Sequence, residues 1–350
     1  MLKSFRYFLF PFSILYAGII WLRNKLFDWK IIKSAEFNFP VICVGNLAVG
    51  GTGKTPMTEY LIGLLKVHFK TATLSRGYKR KTKGFAIANE NTTAIEIGDE
   101  PMQFHQKFPD VTVAVGEERL VAIPQLLHQL PEMQVIILDD AFQHRYVKAG
   151  LNIVLTEFKN LYTRDFMMPS GDLRDNRASI KRADVIVVSK CSAQLSADES
   201  NKIKEEINPL PHQKIFFTKI VYGTPYHLFN KTSVHIEERM DVLLLCGIAN
   251  PKPLKELLTN KVHSYDMIRY RDHHIFNTDD LREIKKTFDQ MKSNNKIILT
   301  TEKDAVRLEK FRNELSEYPL YVIPVRHEFL FEGNKEFDSI VSSFVQKYYQ

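Results

Sequence analysis

The stretch Val41–Thr55, VICVGNLAVGGTGKT, constrains this chain more than any other. Its opening residues are apolar and rich in β-branched side chains, the pattern of a buried strand. Gly45, Gly50, Gly51 and Gly53 then open a loop, Lys54 and Thr55 follow, and Glu59–Ile62 has helical character. Residues without Cβ let backbone N–H groups curl around an anion, and a helix N-terminus adds positive potential. Strand, glycine loop, Lys-Thr and helix together form the context of a phosphate-binding P-loop. In that reading Gly50, Gly51, Thr52, Gly53, Lys54 and Thr55 hold phosphates. Lys54 reaches the β/γ-phosphates, and the Thr55 hydroxyl ligates Mg²⁺. Ala48 departs from the strict pattern, which has glycine there.

The 350 residues are enough for two domains with cores of their own. A net charge of +7 suits an anionic partner: a nucleotide, an acidic lipid surface or nucleic acid. Cys43, Cys191 and Cys246 are dispersed and lack metal-ligand spacing. They read as buried thiols in a reducing compartment, not as a disulfide framework.

Tyr7–Leu22 is apolar throughout, with Lys3 and Arg6 before it and Arg23, Lys25 and Lys30 after it. As a helix it would span about 24 Å, short of a hydrocarbon core of roughly 30 Å. Two readings stand: a segment lying in an anionic membrane face, and a helix packed on the protein's own core. Pro11 interrupts the run near its start.

Short apolar runs at Thr71–Ser75, Val111–Val115, Val135–Leu138, Ile153–Leu155 and Val185–Val188 alternate with helical stretches. That alternation predicts a mostly parallel α/β sheet covered on both faces. The pattern changes near Pro209–His212, where Ile215–Tyr222 and Tyr226–Phe229 look extended around a Gly223-Thr224-Pro225 turn. It restarts at Val242–Leu245 and closes with an amphipathic helix over Asp338–Tyr349. The expected architecture is a P-loop NTPase-like domain plus a second, smaller α/β domain joined by an extended β linker. The expected boundaries are 1–30 for an N-terminal membrane-associated helix, 31–212, 213–237 for the linker, and 238–350.

Several residues could carry chemistry. Val135–Leu138 runs into Asp139 and Asp140, placed as the Mg²⁺-holding carboxylates that follow a strand in P-loop proteins. Gln143 and His144 come next, at the carboxyl end of the sheet where α/β proteins bind ligands. In Gly98-Asp99-Glu100-Pro101, Asp99 serves as a helix N-cap or as a catalytic carboxylate, and spacing alone does not choose. Asp272-His273-His274 occupies a loop of the second domain and is a surface pair or part of a site. Thr301 reads as the N-cap of a helix opening at Thr300–Asp304. Arg76, Lys79, Arg80, Arg119, Arg145, Arg174 and Arg177 fall near strand ends and together suggest an anionic substrate.

An ordered set of stretches resembles one family closely: VGNLAVGGTGKTP, LSRGY, GDEP, AVGEER, ILDDAFQH, PSGDLRD, LCGIANP, DHH and TTEKDAVRL. The chain is similar to the tetraacyldisaccharide 4′-kinases, the lipid A 4′-kinases of Gram-negative bacteria. Ala141 replaces the glycine usual after the paired aspartates. Asp172 and Asp175 stand where the family often has proline and glutamate. The resemblance implies an ATP–Mg²⁺ kinase at the cytoplasmic face of the inner membrane, phosphorylating the 4′-hydroxyl of an acylated glucosamine disaccharide 1-phosphate. It implies Lys54 and Thr55 at the phosphates, with Glu100, Asp139 and Asp140 near the metal. It makes Asp99, paired with His273 across the domains, the base for the sugar hydroxyl, and Arg76, Tyr78, Arg119, Gln143, His144 and Arg174 the substrate contacts. No nucleic acid and no obligate protein partner is implied. A membrane-associated P-loop ATPase acting as a switch or positioning module is the alternative; it leaves GDEP, DHH and the second domain without a role.

Overall fold

Strands that are apolar on both faces need cover on both sides. Val41–Asn46, Thr71–Ser75, Val135–Asp139 and Val185–Ser189 are buried at every residue. They form the middle of a nine-stranded sheet in the computed structural model, which describes residues 6–350. The strand order across the sheet is Val325–Phe329, Lys214–Tyr222, Val185–Ser189, Leu151–Glu157, Val41–Asn46, Val135–Asp139, Thr71–Ser75, Thr112–Val115 and Ala86–Ile87. Pairing is parallel except at the two edges, where Val325–Phe329 and Ala86–Ile87 run antiparallel to their neighbours. Separate apolar cores cover the two faces, one around Phe142 and Ile123 and the other around Phe104 and Leu61.

A second sheet of five strands has the order Tyr226–His227, Leu320–Ile323, Lys296–Thr301, Asp241–Cys246 and Ser264–Arg269. It is parallel apart from the pair between Tyr226–His227 and Leu320–Ile323. Helices Lys252–Thr259 and Thr278–Gln290 supply buried leucine, isoleucine and phenylalanine to its two faces. Cys43, Cys191 and Cys246 are free and buried.

The expected linker 213–237 does not run free. Lys214–Tyr222 is a strand of the large sheet, parallel to Val185–Ser189 and antiparallel to Val325–Phe329. The chain crosses to the small sheet only after Tyr222 and returns with Val325. The helix Gly333–Gln346, expected over 338–349 and in the second domain, packs instead on the large sheet. Its Phe337, Val341 and Val345 are fully buried with Ile42 and Leu61. Expected boundaries at 213 and 238 therefore give way to two adjacent crossings. The alternation of apolar residues is the same whichever sheet receives them.

Residues 1–5 of the expected N-terminal segment lie outside the described residues. After a turn of 3₁₀ helix, Phe10–Asp28 forms a helix with Pro11 in its first turn, where proline is tolerated. Its burial is inverted. Phe12, Ile14, Leu15 and Ile19 are more than half exposed, whereas Ser13 and Asn24 are buried. The inward side is held by polar contacts: Ser13 Oγ donates to Ser170 Oγ at 2.8 Å, Asn24 Nδ2 to Asp175 Oδ1 at 2.8 Å, and Arg6 Nη1 pairs with Asp172 at 3.0 Å. Of the two departures from the family pattern, Asp175 thus seats this helix and Asp172 holds Arg6, just ahead of it.

One buried cluster ties the sheets together. Lys107, from the helix Asp99–Lys107, bridges Glu59 Oε2 at 2.7 Å and Glu302 Oε1 at 2.6 Å. Glu59 belongs to the helix after the P-loop, Lys54–Leu65, and Glu302 opens the small-domain helix Glu302–Leu308. One cation faces two carboxylates, so Glu59, buried first and repelled by Glu302 second, has its pKa pushed up to about 7 against the pull of Lys107. A raised folded pKa favours the protonated form. Its contribution is complete below the ordinary 4.5 and is lost as pH rises to about 7. Glu59→Gln should therefore remove a decline in Tm that the wild type shows between pH 5 and 8. Melting curves at both pH values check this, and parallel declines in the two proteins would contradict it.

Candidate active site

The phosphate loop is shaped from outside. Gly50 and Gly53 lie at φ +104° and +89°, the left-handed region that glycine alone enters without cost. Around them, donors from other elements hold the loop. Asn46 Nδ2 donates to Thr52 Oγ1 at 2.9 Å, and Ser189 Oγ donates to the Thr52 carbonyl at 2.7 Å. The helix Lys54–Leu65 starts at Lys54, so its first N–H groups have no partner within the helix. An anion is the complement such a helix start offers a place to.

Lys54 Nζ lies 3.7 Å from Asp140 Oδ1, and burial lowers its pKa. Arg174 also pairs with Asp140 and donates to Asn46 Oδ1 at 2.6 Å. Asp140 is partly exposed, and against the desolvation of its site Lys54 and Arg174 hold its carboxyl below the ordinary range. Asp139 has no such cation in contact. It accepts a hydrogen bond from Thr58 Oγ1 at 2.9 Å, and burial, then the neighbouring Asp140, push it up to about 7. Lys54, Asp139 and Asp140 thus converge at one strand end, and Glu100 is close enough to act electrostatically on Lys54 and Asp139. Among the described residues no three acidic, histidine or cysteine side chains form a ready-made metal cluster. The donors available, a threonine hydroxyl and carboxylates, are hard oxygens of the kind Mg²⁺ takes, usually together with a substrate's phosphates.

Across the cleft the structure joins Asp99 to His273, with His273 Nδ1 2.8 Å from Asp99 Oδ2. Asp99 is the first residue of its helix, and the N-cap position falls on Gly98, so the capping reading of Asp99 does not hold. Arg307, which the sequence left unremarked, completes the group. Its Nε donates to Asp99 Oδ1 at 2.7 Å, its Nη2 reaches Asp99 Oδ2, and its Nη1 donates to the His274 carbonyl at 2.9 Å. Burial alone would raise the Asp99 carboxyl, but the hydrogen bonds from His273 and Arg307 bring it below its usual range.

Lys303 Nζ lies 3.1 Å from His273 Nε2 and 3.4 Å from both Glu100 and Asp272. An ammonium can only donate, and so can the guanidinium of Arg307, whose Nη2 lies 2.8 Å from Nδ1; Nδ1 thus sits between Asp99 and Arg307, and Nε2 faces Lys303. His273 holds this place at φ +63°, an uncommon backbone conformation that clusters at functional sites. The helix Glu302–Leu308 explains why the sequence missed Lys303 and Arg307. Thr301 caps it through Asp304 N, as expected, and that local role gave no sign of what its next turns touch.

The expected substrate contacts divide. Arg119 is only 4% exposed, its Nη1 bonds two backbone carbonyls, and its Nε has no partner among the described residues. Gln143 donates to the Asn46 carbonyl at 2.7 Å, leaving Oε1 without one, and buried His144 Nε2 is likewise unpartnered. Burial, then Arg119, Arg23 and Arg76, push His144 down to about 4, so the ring is neutral. Arg76 is exposed beside this group, and Tyr78 is exposed with its ring 5.6 Å from that of His273. Arg174 sits at Asp140. By contrast Arg80, Arg145 and Arg177 serve the fold, on Glu117, Asp28 and the Asp165 carbonyl.

Sheet order, phosphate loop and strand-end carboxylates define a P-loop NTPase-like protein with an added α/β domain. The model of the tetraacyldisaccharide-1-P 4′-kinase family matches residues 5–346, and the chain belongs to that family. A tetraacyldisaccharide 4′-kinase of Flavobacterium johnsoniae is 47% identical, with 98% of each chain covered. That of Bacteroides thetaiotaomicron is 41% identical over 97% of this chain and 93% of its own. The crystal structure of LpxK from Aquifex aeolicus in complex with ATP is similar at a TM-score of 0.76 and 29% identity, covering 99% of this chain and 100% of that one.

Asp99 and Arg307 form a nearly buried ion pair between the two domains. Removing one partner of such a pair strands the other charge, at a cost of about 3–5 kcal/mol. Asp99→Asn and Arg307→Leu should each lower unfolding stability by that order, and the double variant should lose much less than their sum. Denaturant titration of the four proteins measures the coupling; additive losses would show that the pair is not a unit.

Proposed function

We propose that this protein moves the γ-phosphoryl group of ATP to the 4′-hydroxyl of a tetraacyldisaccharide 1-phosphate, giving the 1,4′-bisphosphate used in lipid A biosynthesis. The observation that carries the reading is the Asp99–His273 contact between the domains, in a chain that matches the family from end to end. The acceptor is an unactivated hydroxyl and needs a proton acceptor held at the donor phosphate.

The P-loop residues Gly50–Thr55 hold the phosphates, and Lys54 neutralises charge that develops on the transferred group. Thr55, Glu100, Asp139 and Asp140 would hold Mg²⁺, which supplies charge neutralisation at the phosphate oxygens when bound. Asp99 and His273 take the hydroxyl proton as one unit. Both Asp99 oxygens are engaged by Arg307 or His273, and His273 Nδ1 is held between Asp99 and Arg307, which leaves Nε2 as the nitrogen of the pair that can turn to the acceptor. Lys303 leaves that nitrogen for Glu100 or Asp272, each already 3.4 Å away. The acceptor oxygen bonds to phosphorus, the bond to the bridging oxygen breaks, and ADP departs. Arg119, Gln143 and His144 present unpartnered polar atoms at the strand ends, and with Arg76, Tyr78 and Arg174 they receive the acylated sugar.

The acceptor's acyl chains call for a lipid surface. No helix of the described residues is long and apolar enough to cross a membrane. The helix Phe10–Asp28 turns apolar side chains outward and a polar side inward, as an interfacial helix does. This supports placement on the cytoplasmic face of the inner membrane as a peripheral or monotopic protein.

Labelled ATP with a monophosphorylated acyl-disaccharide tests the reaction. Labelled lipid is expected; label found only in free phosphate would favour the ATPase switch. Lys54→Ala should cut transfer by on the order of 10² or more, from loss of one preorganised cation. Near-normal turnover by folded Lys54→Ala would sink the kinase reading. Deleting residues 1–30 should release the protein from liposomes while ATP binding remains, and flotation of the truncated protein would place the anchor elsewhere.

A further inference from the structure

His327 lies on the strand Val325–Phe329, far from every glycine motif in the sequence and beyond the small domain. In the structure it is 3% exposed and touches the phosphate loop. Its Nε2 is 2.8 Å from the Gly53 carbonyl, and its Nδ1 is 2.9 Å from Thr218 Oγ1. A carbonyl only accepts, so Nε2 carries the proton and Nδ1 accepts from the Thr218 hydroxyl. Both ring nitrogens are used, which fixes the tautomer and the ring plane. The imidazole also packs on the Gly53 α-carbon: a Cβ at that position would fall 2.9 Å from Nε2. Burial pushes the ring down to about 4, against the opposing hydrogen bond to Gly53 and with Lys190 adding to the shift, so it is neutral when the enzyme works.

We propose that His327 is a positioning residue for the nucleotide, which fixes the phosphate loop by holding the Gly53 carbonyl and is itself oriented by Thr218. This rests on the ATP-binding reading above. The loop's N–H groups can face a phosphate only if its carbonyls are turned away and satisfied elsewhere. Gly53 O has two donors, Met57 N at 3.2 Å within the helix and His327 from outside it. Met57 alone would leave Gly53, in the left-handed region, free to rotate its peptide. His327 removes that freedom, as Ser189 does for the Thr52 carbonyl.

The placement has a second consequence. Val325–Phe329 is the strand by which the chain leaves the small domain, and Val325 N donates to Glu302 Oε2 at 3.0 Å. Glu302 belongs to the helix that carries Lys303 and Arg307 to Asp99 and His273. A single residue, Arg326, separates Val325 from His327. The small domain's seat on the proton-accepting pair and the shape of the phosphate loop therefore share one short stretch of backbone.

The test is equilibrium binding of ATP, by displacement of a fluorescent ATP analogue, in His327→Leu, His327→Gln and Thr218→Val, with steady-state KM for ATP and for the lipid. His327→Leu fills the space without a donor and should weaken ATP binding roughly tenfold, the scale of one lost buried hydrogen bond. Its KM for the lipid should stay near the wild-type value. His327→Gln offers an amide N–H to the same carbonyl and should recover most of the affinity at equal Tm. Thr218→Val, which leaves His327 in place but loosens its tautomer, should lie between them, and it carries the test if His327→Leu does not fold. ATP affinity within about twofold of wild type in folded Thr218→Val and His327→Leu, or equal losses toward ATP and lipid, would overturn the proposal. Wild-type protein that binds ATP without phosphorylating lipid would instead refute the kinase reading and leave this one standing.

Discussion

The two crossings between the sheets form one antiparallel ladder, from Thr218 opposite Phe329 to Tyr222 opposite Val325. Most of what the molecule does depends on that ladder. A single crossing would leave the small domain on a flexible tether. Two hydrogen-bonded strands side by side resist shear and twist, because sliding one past the other breaks the whole register. The ladder also sits at the sheet edge beside the phosphate loop, so a side chain on the returning strand can touch Gly53. Phe329 then leads into the C-terminal helix, whose Phe337 packs against Phe216, Tyr60 and Phe329 and covers the sheet that the ladder extends.

Charge is arranged in the same economical way. Between the domains, carboxylates and cations meet in groups too small to neutralise every member: Lys107 between Glu59 and Glu302, and Lys303 between Glu100, Asp272 and His273. Groups with spare partners can exchange them when a charged ligand arrives, whereas a closed, fully neutral pair resists change. Asp139 is the extreme case, a buried carboxylate that accepts from the Thr58 hydroxyl and is pushed up to about 7 by burial and Asp140. Perturbed values of this kind gather at functional sites, because a site that must receive a highly charged reactant cannot be self-satisfied beforehand.

The helix Phe10–Asp28 follows a different rule. Its inward side is read mainly by hydrogen bonds to Ser170, Asp175 and the Arg174 and Gln143 carbonyls, with Phe27 the buried apolar residue of the helix, packed on Tyr146. Polar contacts are directional and fix the helix in one register, leaving its apolar side chains outward. Arg23 and Tyr16 thereby reach the carbonyls of Gln143 and Arg174, so the helix with the outward apolar side chains is also in contact with the segments beside the strand-end carboxylates.

The sequence by itself determined the phosphate loop, the fully apolar strands and the carboxylates at their ends, because each is a local pattern whose geometry follows from a few adjacent residues. It also pointed to Asp99 and His273, through motifs that no local rule could have joined. Only the tertiary structure decided what lies beside them. Arg307 and Lys303 read as ordinary charges on a short capped helix until the small domain brings that helix to Asp99. His327 reads as an isolated histidine in an edge strand until the ladder places it against Gly53. The destination of Lys214–Tyr222 and of the last helix was equally hidden, since apolar periodicity tells which face is buried and not against which sheet. Contacts between residues tens to hundreds of positions apart are set by how the two sheets share one ladder, and that is a property of the folded chain alone.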